Sequence, residues 1–340
     1  ARMPWLEREV GQDRLVAWHR KVGPWALVLV TAHFALTSLG YAQASDVSIW
    51  DEVVTLVTSY PWMMPAAAAM GIMVLLGIVS VPSVRQRMAY ETWWAGHLYF
   101  YLAIALAFGH QLTSGSLFAS HDVLRYLWVA LYLTVAATIV WSRLALPVVR
   151  SMRHDLRVER VVREADGLIS VYLSGRNLAQ LNASGGQFFA WRFLTRNWWW
   201  QAHPYSLSAG ANGSWLRITV KDLGDQSGAL AQLRPGTRVI AEGPYGVFTA
   251  ESRKTSRIAA FAAGIGITPI RAMLDDLPPG VKVTVVYRVA EVQDETVALR
   301  AELEEIVSRR GWELIYLPGS RNEYAMSVDY LTQLVPKMAL

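Results

Sequence analysis

The chain of 340 residues holds seven histidines, and four of them sit in two apolar runs at closely matched spacing. TWWAGHLYFYLAIALAFGHQL, Thr92 to Leu112, carries His97 and His110 thirteen residues apart. WHRKVGPWALVLVTAHFALTSLGYA, Trp18 to Ala42, carries His19 and His33 fourteen apart. At a rise of about 1.5 Å per residue, each pair spans roughly 20 Å along a helix axis. Histidine in such a run is costly to bury without a partner, so the chemistry on offer is ligation of two groups stacked at different depths. For any single histidine, a hydrogen bond to a neighbouring helix is the alternative. Angular register separates the two runs. At about 100° per residue, fourteen positions return to within about 40° of the starting face, while thirteen fall about 140° off. The second run must bend: a kink or π-bulge near Phe108 and Gly109, or a strongly rotated second group, reconciles the spacing.

The elements that position these histidines read as membrane helices. Four runs meet the length of about 20 apolar residues that a hydrocarbon core of roughly 30 Å demands: about Val22 to Ala42, Pro61 to Pro82, Thr92 to Leu112, and Tyr126 to Val149, the last with Arg143 near its end, where it can snorkel. Composition agrees, with 53% hydrophobic and 17% charged residues and a mean hydropathy of +0.23. These values predict a protein partly embedded in a lipid bilayer.

The connections orient the spans. Arg14, Arg20 and Lys21 precede the first, Arg85 and Arg87 follow the second, and Arg143, Arg150, Arg153 and Arg157 cluster at the end of the fourth, whereas Gln43 to Tyr60 and Gln111 to Asp122 hold no Lys or Arg. The positive-inside rule therefore predicts a multi-pass plasma-membrane protein whose amino end, second connection and everything after Arg150 are cytoplasmic. His19 and His97 then share the inner depth, and His33 and His110 the outer. One imidazole from each helix at each depth is what two bis-histidine b-type haems require, an arrangement that fills both axial positions of the iron and suits electron transfer. Arg20, Lys21, Arg85 and Arg87 are candidates for the inner propionates. Arg125, the nearest outer cation, is a candidate for an outer propionate or an anionic acceptor, or else a plain interfacial anchor. His121 and His154 read as solvated. Asp46 to Tyr60, with Ile49, Trp50, Val53, Val54 and Val57 at helical spacing, predicts a short amphipathic helix.

Several classes are excluded. Absence of cysteine rules out disulfides, iron–sulfur clusters and thiolate zinc sites. The formal charge of +5 is not organised as a basic stripe with interleaved aromatics, so nucleic acid is not an expected partner. Ala1 to Val22 shows no compact apolar core of a signal peptide. Without a methionine at position 1, the chain is expected to be a fragment.

From about Leu156 the pattern changes to short strands, LRVERVV, LISVYLS, WLRITVK and TRVIAEG, which fit a small antiparallel barrel. From Arg257 it changes again: RIAAFAA, a glycine loop, the helix PIRAMLDDL, VKVTVVY, a helix from Glu295 to Arg310, and WELIYL. Strand and helix alternate there as in a parallel doubly wound unit. In AGIGITPI, Gly264 and Gly266 follow a strand and precede a helix, so backbone amides and the helix dipole can face a pyrophosphate; a tight structural turn would need the same residues.

Taken with HPYSLSA (His203 to Ala209), VKDLGDQSG (Val220 to Gly228) and GPYG (Gly243 to Gly246), that turn resembles the ferredoxin–NADP reductase type of flavin module. Joined to the paired-histidine helices, the chain from about Gln12 onward resembles the NADPH oxidase and transmembrane ferric reductase superfamily. The resemblance implies an all-α membrane haem domain (1–150), a β-barrel FAD domain (151–252) and an α/β doubly wound NADPH domain (253–340). It places Tyr205 against the flavin, Ser206 near its reactive edge, and His203 near the phosphates or the inner haem edge, with Pro204, Leu207 and Ser208 in the same stretch. Lys221, Ser227 and Gly228 are implied at the FAD pyrophosphate, and Gly264, Gly266, Thr268 and Pro269 at the nicotinamide nucleotide. Arg288, with Ser320 and Arg321, implies a 2′-phosphate and hence NADPH. Family members have six helices and a closing Cys-Gly-Pro loop. This chain shows four helices and stops at Leu340, so the resemblance implies a product truncated at both ends. The implied activity is electron transfer from cytoplasmic NADPH through FAD and two haems to an outside acceptor. A ferric complex, dioxygen, and a partner protein or quinone remain open as that acceptor, and a non-redox channel or structural protein is the reading in which the histidines merely pack.

Overall fold

The computed structural model describes residues 10–114, 118, 120–196, 199–222, 224–290, 297–319 and 327–335. They divide into two compact units, Arg14–Thr138 on one hand and Ala1–Asp13 with Ile139–Leu340 on the other.

The first unit is helical. Helix α1, Gln12–Ser45, runs for 34 residues, or about 51 Å at the usual rise. Ser48 then caps α2, Ile49–Ser59, its side chain accepting from the Asp51 amide. This is the helix expected at Asp46 to Tyr60. Pro61 and a left-handed Trp62 turn the chain by 117° into α3, Met63–Val79. After a short turn come α4, Tyr90–His97, and α5, Tyr99–Ser114. Helix α3 packs along α5 with Ala69 and Ala103 fully buried, small residues that let two apolar helices approach closely. Helix α6, Asp122–Val140, continues through a π-turn at Trp141–Ala145 into α7, Leu146–His154. Pro147 lacks the amide that would bond to the carbonyl four residues back, and the turn before it widens so that the Leu146 amide reaches Trp141.

Helices stand over each of the four expected runs. Among the described residues, two unbroken helices are long and apolar enough to cross a membrane, Arg14–Ser45 and Asp122–His154, with a third if the bent pair α2 and α3 counts as one. The Thr92 to Leu112 run is broken at Leu98, and the bend expected near Phe108 and Gly109 is not there. At the break the Leu98 amide is shared between the Trp94 and Ala95 carbonyls, and the Tyr101 amide bonds to Leu98 three residues back. Such overwinding adds about 20° per residue, turning His110 toward the face of His97. Gly109 instead provides room. A Cβ there would lie 2.4–2.7 Å from the Trp62 indole, so Gly109→Ala is expected to displace that ring and cost about 1–3 kcal/mol, read as a lower midpoint for thermal loss of helical circular dichroism in detergent.

The second unit carries β1 Arg157–Ala165, β2 Leu168–Ser174, β3 Phe188–Phe193, β4 His203–Ser206, β5 Trp215–Lys221 and β6 Val239–Tyr245. They form two three-stranded antiparallel sheets, β1-β2-β5 and β4-β3-β6. Single bridges, Arg157 to Arg238 and Leu207 to Ile218, join the two sheets at both edges. Between them lies one apolar core in which Trp191, Phe189, Phe193, Leu207 and Ile218 are fully buried.

After it come β7 Arg257–Ala263, α8 Ile267–Asp275, β8 Lys282–Val289, α9 Arg300–Arg310, β9 Glu313–Pro318 and α10 Val328–Leu334. Strands β7-β8-β9 form a parallel sheet whose core includes Ile267, Leu274, Val285 and Leu303. Helix α9 starts at Arg300, preceded by Leu299 in a left-handed conformation; the start expected at Glu295 lies outside the described residues.

Candidate functional site

His97 closes α4, one residue before the break, and its ring meets that of His19 on α1 with centroids 5.9 Å apart and planes at 87°. Two metal–imidazole bonds of about 2 Å on opposite sides of one ion separate ring centroids by roughly 6 Å. The Ser80 hydroxyl lies 3.4 Å from His97 Nδ1, which leaves Nε2 as the nitrogen open to a ligand. Trp93 flanks His97 at 5.0 Å, and Arg85, one of the cations expected near the inner propionates, stacks on Trp93 at 4.2 Å.

His110 lies thirteen residues on in α5, within electrostatic reach of His33. Its Nδ1 is shut off from solvent and makes no hydrogen bond of normal geometry. Next to it, Gln111 Oε1 accepts from Trp128 Nε1 at 2.8 Å and from Tyr132 at 3.2 Å. Arg125 is paired with Asp122 at 2.6 Å. His121 is exposed beside Ser120. His154 corrects the expectation of a solvated side chain: it is 3% exposed, with Nδ1 2.9 Å from the Arg176 carbonyl, because the end of α7 folds onto the start of the antiparallel sheet.

The HPYSLS stretch divides by the alternation of a strand. His203 stacks on Tyr205 at 6.0 Å. Tyr205 rests against the apolar core, its carbonyl taken by Trp191 Nε1 at 3.0 Å and its phenol pushed up by burial. Pro204 is exposed and Ser206 half-buried, while Leu207 and Ser208 are wholly buried. Ser208 Oγ accepts from Arg217 Nε at 3.0 Å and from Thr219 at 2.7 Å. Lys221 stands exposed at the end of β5. The loop that follows folds around Asp222, whose carboxylate takes the Gly224 amide at 3.0 Å and the Ser227 hydroxyl at 3.3 Å. Gly228 closes the turn through its amide to the Gly224 carbonyl.

Between β7 and α8 the glycine turn is open. A Cβ on Gly264 or Gly266 would meet nothing within 4 Å, and Gly264 holds φ +52. Tyr287, its phenol pushed up to about 12 by burial, donates to the Gly264 carbonyl at 3.1 Å. Thr268 is buried and bonds back to Ile265 at 3.0 Å, and Pro269 occupies the first turn of α8. Arg288 stands at the carboxyl end of β8, level with Ala263 and Leu317 on the strands either side. That edge of a parallel sheet is where ligands bind. Ser320 and Arg321 lie outside the described residues.

Sequence reasoning missed Ser80, Gln111, Asp222 and the Arg217 network. Asp222 had a signal, an acid two residues before a glycine, the mark of an Asx turn. So did Arg217, a charge within an otherwise apolar strand.

Residues 1–108 match the family described as ferric reductase like transmembrane component. Other stretches of the chain resemble reductases. A flavohemoprotein of Candida norvegensis is 30% identical over 148 residues, 42% of this chain and 38% of that protein. NADH-cytochrome b5 reductase 1 of Laccaria bicolor is 32% identical over 95 residues, 27% of this chain and 30% of that one. Among solved structures, the FAD/NAD binding domain of nitric oxide dioxygenase from Vibrio cholerae aligns at 21% identity with a TM-score of 0.39, over 47% of this chain and 72% of that domain. The chain spans about a third of the length of the curated relatives it matches. The family match and the curated relatives together support a ferric reductase/NADPH oxidase-like architecture, an apolar helical part and a reductase-like module.

Proposed function

We propose that this chain is a transmembrane oxidoreductase that takes electrons from cytoplasmic NADPH and delivers them to an extracytoplasmic ferric complex or dioxygen. The observation that carries the reading is the facing pair His19 and His97 in a segment that matches a ferric reductase transmembrane family. The buried Nδ1 of His110, which makes no hydrogen bond of normal geometry, and the open turn at Gly264 and Gly266 fit groups bound at those places. When bound, b-type haem supplies one-electron carriage, and FAD converts between hydride and single electrons.

His19 and His97 would hold the inner iron, and His33 and His110 the outer one. The two bridged antiparallel sheets are read as the FAD barrel, with His203, Pro204, Tyr205 and Ser206 forming the flavin wall and Leu207 and Ser208 fixing it from behind. Lys221, Ser227 and Gly228 take the FAD phosphates. The parallel sheet is read as the NADPH domain, in which Gly264, Gly266, Thr268 and Pro269 receive the pyrophosphate and Arg288 the 2′-phosphate. The similarity to a flavohemoprotein and to an NADH-cytochrome b5 reductase supports the flavin and nicotinamide assignments. Arg125, tied to Asp122, would have to exchange that partner to meet an outer propionate or an anionic acceptor. Cytoplasmic placement of the reductase module follows from the cation-rich connections. With that orientation, electron flow outward is favoured by about 2.3 kcal/mol per 100 mV of inside-negative potential if the full field is crossed.

Anaerobic addition of NADPH to the purified, cofactor-replete protein is expected to bleach flavin absorbance and then raise the reduced haem bands. Flavin and haem that both stay oxidised would defeat the reading. Ferric-chelate reduction measured beside superoxide formation separates the two acceptors, and turnover only with an added protein or quinone would point to a relay instead.

A further inference from the structure

One continuous polar chain joins the antiparallel core to the parallel sheet. Arg217, in the middle of β5, is 3% exposed, and its guanidinium grips both carboxylate oxygens of Glu302 on α9 at 2.5 and 2.7 Å. The same guanidinium donates to the Ser208 hydroxyl at 3.0 Å and to the Ser208 carbonyl at 2.8 Å. Glu302 also forms an ion pair with Arg271 on α8, Oε2 to Nε 2.7 Å, and Arg271 pairs with Asp275. Asp275 accepts the Gly210 amide at 2.8 Å, and Asp276 the Gly185 amide at 2.5 Å. The carboxyl end of α8 is therefore pinned to the loops beside HPYSLS, while its amino end carries the Gly264–Gly266 turn. Nine helical residues make α8 a stiff strut of about 13 Å between the two.

We infer that Glu302 is a positioning residue for hydride transfer, setting the separation between the HPYSLS strand and the glycine turn. The inference rests on the flavin and nicotinamide reading of those two stretches. In that step a hydride with its two electrons leaves the dihydronicotinamide, which is oxidised, and reduces the flavin, with a proton from water balancing the charge. A misplacement of about 1 Å costs such a step on the order of 100-fold. Glu302 sits at the rim of the seam, its side chain 33% exposed. Without it Arg217 keeps Ser208 and a contact to the Tyr172 hydroxyl. Each sheet keeps its own apolar core. Removing the carboxylate leaves the buried Arg217 charge without its partner and loosens the seam, while each side keeps the apolar core that folds it.

The test uses the full chain in lipid nanodiscs with Glu302→Ala and Glu302→Gln. Because the chain has no cysteine, spin labels on Glu164→Cys in β1 and Ser308→Cys in α9, both exposed, report the separation across the seam without background. Glu302→Ala is expected to broaden a narrow distance distribution and to lower the limiting rate of flavin reduction by NADPH at least about tenfold. Its apparent affinity for NADPH should stay within about threefold and its flavin content should not change. Glu302→Gln, which keeps an acceptor and drops the charge, should fall between. An unchanged distribution or an unchanged limiting rate in Glu302→Ala overturns the inference. Absence of flavin from the unsubstituted chain overturns the reading beneath it.

Discussion

Replacing His97 with leucine is expected to take one haem per chain from the purified protein and leave its flavin in place. Leucine is close in volume and suits an apolar helix, so the change removes an imidazole and little else. His97 is the residue on which the inner arrangement converges: it faces His19 at 5.9 Å, has Ser80 beside Nδ1, and is followed directly by the turn at Leu98 that breaks the helix. No other described histidine is placed to take over its position. Electron delivery to any outer acceptor should fall to background, while NADPH should still bleach the flavin. His121→Leu serves as the control, since that side chain is exposed beside Ser120; its haem content should not change. Two haems retained in His97→Leu would remove the inner ligand assignment.

The second large effect is on stability. Arg217→Ala takes a buried guanidinium away from Glu302, Ser208 and the Tyr172 hydroxyl at once. Breaking a buried, hydrogen-bonded ion pair from one side typically costs about 3 kcal/mol or more. Arg271 stays to share the charge on Glu302, which places the expectation at the lower end, about 3 kcal/mol. Denaturant unfolding followed by release of flavin fluorescence reads it. Arg160→Ala is the counterpart at the surface, its pair with Glu159 half exposed on both sides, and should cost no more than about 1 kcal/mol.

The sign of the pH dependence follows from Glu302. Burial opposes its charge, but the Arg217 and Arg271 guanidiniums outweigh burial and hold its carboxyl below the usual range. Its contribution is therefore present at neutral pH and lost as pH falls through that lowered value. The stability gap between the parent and Arg217→Ala should narrow below about pH 4.

The histidine pairs, the short strands and the glycine turn were legible in the sequence because each follows from local spacing. His97 and His110 stand out against an apolar run, LISVYLS and WLRITVK carry strand composition, and AGIGITPI punctuates a strand and a helix. Where the helix breaks was not legible. Gly109 looked like the weak point, yet its missing side chain serves the Trp62 indole, and the overwound turn falls at Leu98, a residue with no breaker character. Burial of His154 depends on Arg176, 22 residues further along. The Arg217 to Glu302 pair bridges 85 residues. Side-chain partners so far apart leave no periodic trace, and only the oddity of an arginine inside an apolar strand hinted that one was needed.

The central claim is that one chain carries both haem and flavin, and a reduced-minus-oxidised visible spectrum of the detergent-purified protein, with haem and FAD quantified per chain, tests it most directly. Two low-spin b-type haems and about one FAD per chain are expected. FAD without haem would contradict the claim, leaving the facing histidines of α1 and α4 as packing residues in a helical unit with some other purpose.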